Sequence, residues 1–282
     1  MSAIDARRAL DLWVQIVRDE ELYRAMLDGR HAELAEARQL DASDLAILDQ
    51  FRARPGTRWN VENIRFRATL QVAGRLRSWM PLTTHRLAGT SEDWLNDLVF
   101  EYLTYHRWND LGPLHLTECE RFGQFVRERV MVRRSDPLIE HALAFELAVI
   151  GALKATGDVA PDQWPALGEL DDAALAAARP RPGPTTRVLE LPVDLSPWLR
   201  VEDPTGVAVR EEPVHYLIYV PSLDQVHRVQ TLGDGARLVF ERCTGDLTTA
   251  ELAAALEEEA EVDAADVTAL VARWVRGGAL WP

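Results

Sequence analysis

Hydrophobic periodicity changes once along this chain, across a stretch that neither a helix nor a strand can traverse. Residues 157–184 hold Pro161, Pro165, Pro180, Pro182 and Pro184 among alanines and aspartates. Proline fixes φ and offers no N–H to a helix or a ladder. The stretch therefore reads as a connector with one weak helix at 171–178. Before it, from Ala6 to Thr156, apolar residues recur at helical spacing. Leu10, Trp13, Val14 and Val17 form one stripe, Leu45, Leu48 and Phe51 a second, and Trp94, Leu95, Leu98, Val99 and Tyr102 another. Ser43 is expected to cap the helix at 41–52, and Pro137 to open the last one as a first-turn proline. The expected N-terminal domain, residues 5–156, is an all-α bundle of about six helices.

After the connector the pattern is strand-like and then helical again. VHYLIYV (214–220) is rich in β-branched and aromatic residues, Pro221-Ser222-Leu223-Asp224 is a turn, and VHRVQTL (226–232) alternates. That is a hairpin signal. Helical pattern returns at 235–243, 249–259 and 264–276. Thr248 and Glu251 stand in capping-box spacing, and Gly277-Gly278 stops the last helix. The fold class expected is α+β: a helical bundle, the connector 157–184, and at 185–282 a winged-helix-like domain with a small antiparallel sheet and three helices.

Composition narrows the function classes. The 282 residues carry 31 Lys and Arg against 45 Asp and Glu, a formal net charge of −14. Free nucleic acid and anionic membrane surfaces repel such a chain on average. No apolar run is long enough to span a bilayer, and the N-terminus lacks the apolar core of a signal peptide. The cytoplasm is the expected location. Two separated cysteines, Cys119 and Cys243, make neither a zinc site nor a disulfide framework. His141 and Glu146 lie on one helix, while His85, His106 and His115 are scattered, so no metal site is expected and no cofactor. There is no phosphate-binding glycine loop, no G-x-S-x-G and no H-E-x-x-H. Catalytic residues are accordingly assigned to none. Nine tryptophans suit cores and protein interfaces. The arginine runs at 52–58, 65–77 and 127–134 read first as solvated helix faces, and next as a face for an acidic partner.

The hairpin is the best binding candidate. A sheet of few strands leaves an edge of unpaired N–H and C=O groups that can accept an extended peptide as a further strand.

Two stretches resemble known families. The segments YLTYH (102–106), RFGQFV (121–126), DPL (136–138) and ALAFELA (142–148) resemble the N-terminal domain of partner subunits of multinuclear non-haem iron-dependent oxidases, which modify ribosomally made peptides. Trp108-Asn109 stands where that family has a proline-rich turn. Residues 214–280, with GARLVF (235–240), GDLTTAEL (245–252) and WVRGGAL (274–280), resemble the small peptide-recognition domain of the PQQ-chaperone type. The resemblance implies a non-catalytic partner protein. It would bind the leader of a precursor peptide and form a complex with a separate oxidase, which alone carries the iron. On this reading the leader adds as a strand beside Val226, His227, Arg228, Val229 and Gln230. Its side chains lie against Val267, Leu270 and Val271 of the last helix. Arg65, Arg75, Arg77, Trp79 and Trp108 supply the surface for the oxidase. The alternative is a winged-helix DNA-binding regulator. Its recognition helix would be 264–276, where Arg273 and Arg276 stand beside Asp263 and Asp266.

Overall fold

A computed structural model of the chain describes residues 3–89, 91–108, 115–165 and 170–282. Asn109 and the connector residues 166–169 lie outside them. The chain is α+β, mostly helical with a small antiparallel sheet. Among the described residues no helix is long and apolar enough to cross a membrane. Two compact units are found, Met1–Glu128 and Arg129–Pro282. Periodicity alone puts the division near 156. It falls earlier because the helix opened by Pro137 packs on the sheet.

The N-terminal unit holds α1 (Ala3–Arg18), α2 (Glu20–Leu27), α3 (Ala42–Ala53), α4 (Gly56–Trp79), α5 (Pro81–Ala88), α6 (Glu92–Tyr105) and α7 (His115–Phe125). Ile16, Leu22, Tyr23, Met26, Leu48 and Val61 make one core where α1–α4 meet. The cap of α3 is Asp41 rather than Ser43. The Asp41 carboxylate accepts from the Ser43 and Asp44 N–H groups at 2.7 and 3.0 Å, and Asp44 accepts in return from the Asp41 N–H. Arg8 of α1 bridges both carboxylates. A carboxylate two residues earlier satisfies two orphan donors and recruits a cation, which a serine hydroxyl cannot match.

Arg65 is the main strut of this unit. It lies in the middle of α4 and is buried. Its guanidinium donates to the carbonyls of Val17 (2.9 Å) and Ile16 (3.2 Å) and to the Glu20 carboxylate. Those carbonyls belong to the last turn of α1, where intrahelical partners run out, and Glu20 opens α2. The guanidinium also lies over the rings of Tyr23 (4.6 Å) and Trp108 (5.3 Å). Trp108 reaches that position through two consecutive left-handed residues, Arg107 at φ 53° and Trp108 at φ 52°. The Trp108 N–H donates to Leu103 O at 2.7 Å, closing the end of α6.

In the C-terminal unit α8 (Pro137–Ala155) is followed by α9 (Asp172–Ala177), β1 (Arg181–Pro182), β2 (Arg187–Leu191), α10 (Ser196–Leu199), β3 (Val214–Tyr219), β4 (Arg228–Leu232), α11 (Asp234–Arg242), α12 (Thr249–Ala260), α13 (Ala264–Gly277) and β5 (Leu280–Trp281). The sheet order is β2-β3-β4, antiparallel throughout, and β1 pairs separately with β5. Leu217, Tyr219 and Leu232 from the sheet meet Val239, Phe240, Leu252, Leu256, Val267, Val271 and Trp274 from the three helices in one core. The connector is woven into this unit. Leu175 of α9 joins the core, and β1 closes on the C-terminal strand. The capping box is present: Thr248 and Glu251 exchange hydrogen bonds at 3.2 and 2.8 Å. Gly278 ends α13 at φ 81°, where a Cβ would stand 2.9 Å from the Pro221 backbone. The site therefore needs glycine both for its conformation and for space.

Removing the Arg65 cation leaves the Ile16 and Val17 carbonyls without a donor and takes from Glu20 one of its two cations, Arg24 remaining at 2.6 Å. Arg65→Met should lower the stability of the N-terminal unit by about 3 kcal/mol. Arg7→Met, at an exposed cation of α1, should change it by less than about 0.5 kcal/mol. Urea denaturation of both variants checks this, and equal effects would contradict the assignment of Arg65 as a strut.

Candidate functional site

β3 is the buried centre of its sheet. Its residues 216–219 are all buried, with both faces covered. Leu217 and Tyr219 enter the three-helix core, while the Tyr216 ring meets Phe145 of α8 edge-on at 5.2 Å. β4 takes the same two faces by register. Gln230 lies opposite Leu217 and Leu232 opposite His215, and Val229 lies opposite Ile218 and Thr231 opposite Tyr216. β4 pairs on one side with β3. Among the described residues no backbone hydrogen bond reaches its other side. β2 is the second edge of the sheet.

The run-in to β4 is apolar and solvent-facing. Val226 is 79% exposed and Leu223 52%. The turn between the strands is held by the Gln225 N–H on Ser222 O (3.2 Å) and by Ser222 Oγ donating to Asp224 at 2.6 Å. This turn uses up Ser222–Gln225, so β4 begins at Arg228 and not at Val226. Val226 and His227 are loop residues, while Arg228, Val229 and Gln230 are in the strand. The Arg228 guanidinium reaches back to the Gln225 side chain at 3.1 Å.

The last helix is placed differently from the expectation. Val267 and Val271 are fully buried in the core and cannot line a groove. Their spacing marks the inner face of α13, and the inner face is sealed by Leu217, Tyr219 and Leu232. Leu270 is half-buried at the margin of the same core and is the one of the three that reaches the surface. On α13, Arg276 is paired to Asp172 at 2.8 Å, and Asp263 caps the first turn.

A buried polar group anchors the start of β3. The Tyr216 hydroxyl donates to Asp194 Oδ1 at 2.9 Å and accepts from the Leu195 N–H at 2.7 Å. Asp194 also accepts from the Ser196 N–H at 2.8 Å and faces Arg210 at 3.6 Å. Burial opposes the Asp194 charge, but the bonds from Ser196 and Tyr216 and the Arg210 cation outweigh it and hold its pKa below the usual 3.8. Burial, with Asp194 beside it, pushes the Tyr216 phenol up to about 12. The Cys243 thiol is buried too, donates to Val239 O at 3.2 Å, and is pushed up to about 12, so it is inert at neutral pH.

Of the residues expected to face a partner protein, Arg65 and Trp108 are core residues of the N-terminal unit, as their spacing along apolar stripes alone could not show. Arg75 is half-buried and paired with buried Glu118 at 3.3 Å, and Arg77 is half-buried and engaged. Trp79, 39% exposed, is accessible. The reading missed Leu223. It also missed the exposed apolar residues of α4, which sit in the same helical pattern as the buried ones. Among the described residues no group of three or more His, Cys, Asp or Glu is gathered as a metal cluster. No protein-family model matches the chain, and no curated protein shows a significant match.

Asp194 supplies a pH signature. A carboxylate whose folded pKa is depressed contributes stability above its unfolded value and loses it as pH falls through the folded one. Asp194→Asn should therefore be less stable than the parent at pH 7. The gap should narrow as pH is lowered below about 4. Thermal melts of the two proteins across that range test this, and a constant gap would contradict it.

Proposed function

We propose that the chain is a non-catalytic partner protein that binds the leader of a ribosomally made precursor peptide by strand addition at β4, and presents it to a separate iron-dependent oxidase. The observation that carries the reading is the open outer side of β4, flanked by exposed Leu223 and Val226. An extended peptide placed there would satisfy the free main-chain groups of β4 and cover these side chains. The order of three antiparallel strands followed by three helices supports a winged-helix-like recognition domain. Leu270 and the outward residues of β4 would meet the peptide side chains, with Val267 and Val271 supporting them from below. The reading as a DNA-binding regulator gains little from α13, where Arg276 is paired with Asp172 and exposed Arg273 is left among Asp263 and Asp266.

Co-expression with the neighbouring genes, followed by purification on a tag carried by the chain, tests the proposal. Recovery of an iron protein with a short peptide supports it. Recovery of the chain alone overturns it.

Strand addition has its own test. Successive N–H groups of a strand point to opposite sides, so of Val229 and Gln230 one faces β3 and one faces the open edge. Val229→Pro and Gln230→Pro are both made. The variant that keeps its far-ultraviolet circular dichroism should bind the leader peptide about 2 kcal/mol more weakly by calorimetry, because it lacks the outward donor. Full affinity in that folded variant places the peptide elsewhere.

A further inference from the structure

α4 is apolar on two faces, and its own unit covers one. Val61, Arg65, Val72, Ala73 and Leu76 are buried. On a different face Trp59, Phe66 and Leu70 are 65%, 60% and 43% exposed. Asn63, half-buried, lies between them. The positions 59, 63, 66 and 70 step by four, three and four, which is the d–a–d–a seam of a coiled coil. Glu62 then occupies the g position on one flank and Arg67 the e position on the other. Arg67 is exposed and takes part in no hydrogen bond or ion pair among the described residues.

We propose that this seam binds a second copy of the chain, the two α4 helices lying parallel about a two-fold axis. The charges decide the occupant and the direction. In a parallel pair the g residue of one helix meets the e residue five positions on in the other, so Glu62 faces Arg67 of the second copy, twice. In an antiparallel two-fold pair like flanks meet, which sets Arg67 toward Arg67 and Glu62 toward Glu62. Glu62 already accepts at Oε1 from Arg58 one turn earlier at 2.8 Å and from the Tyr23 hydroxyl at 3.3 Å, yet its side chain is 51% exposed and Oε2 has acceptor capacity left. Asn63 at a meets its own copy across the axis, an arrangement that fixes register and favours two strands at a cost in stability. The next d position, Ala73, is buried within its own unit, so the seam ends after four layers. The dimer is consequently weak and concentration-dependent.

Sedimentation equilibrium of the full chain over a wide concentration range tests the proposal. The expected result is a monomer–dimer equilibrium that Phe66→Asp abolishes, with unchanged thermal melting because Phe66 is exposed. Glu62→Arg and Arg67→Glu, each alone, should weaken the dimer by roughly five- to ten-fold. The double variant should restore it. A chain that stays monomeric at the highest concentration overturns the proposal, as does a dimer indifferent to Phe66→Asp. A dimer untouched by the single charge reversals overturns the parallel arrangement on which it rests.

Discussion

One buried guanidinium organises the N-terminal unit. Taking an arginine out of water costs several kcal/mol, and the cost is offset only where each of its nitrogens finds an acceptor. Arg65 achieves this with the two carbonyls that α1 leaves unsatisfied at its end, the carboxylate that opens α2, and two aromatic faces. Each partner is a group with a need of its own. The α1 carbonyls require donors, Glu20 gains a second cation beside Arg24, and Trp108 is held in a left-handed backbone that other contacts must repay. Fixing Arg65 inward also fixes the rotation of α4 about its axis. At 3.6 residues per turn, Trp59, Phe66 and Leu70 then lie roughly 100–140° away from it, turned out of the core. The exposed stripe follows from the buried cation.

What could be read from the sequence was what is local. Thr248 and Glu251 announced their capping box because both partners lie within one turn. Gly277-Gly278 announced the end of α13, and the β-branched and aromatic run at 214–220 announced β3 to within a residue. The failures are long-range. α8 has ordinary helical periodicity, and nothing in its own residues says that Phe145 meets Tyr216 on a sheet more than sixty positions later. An arginine in an apolar stripe reads as a solvated residue unless the carbonyls of another helix are known to await it. Val267 and Val271 were expected to line a groove for the peptide, but a peptide cannot share a face that Leu217 and Leu232 already fill.

The polar anchor at Tyr216 explains how the sheet keeps its register. A strand buried on both faces is pinned by its side chains, since a slip of one residue exchanges the faces. Leu217 and Tyr219 demand the helix side. Tyr216 must reach Asp194 and the Leu195 N–H on the other. Satisfying the hydroxyl and the Leu195 amide together is what makes that alternative costly, because a slipped strand would leave a buried phenol and a buried amide without partners.

The same constraint shapes what β4 can recognise. With β3 held rigid between two layers, β4 is paired along one side and open along the other, and an added strand inherits its alternation. A peptide seated there would turn every second side chain toward the α8 face and the rest toward the helix face beside Leu270. Its main chain would be read at each residue pair, and its sequence only where a side chain meets an apolar surface. Selectivity then concentrates at few positions: those opposite the exposed loop residues Leu223 and Val226, and those over Leu270. Such an edge tolerates varied peptides of one spacing.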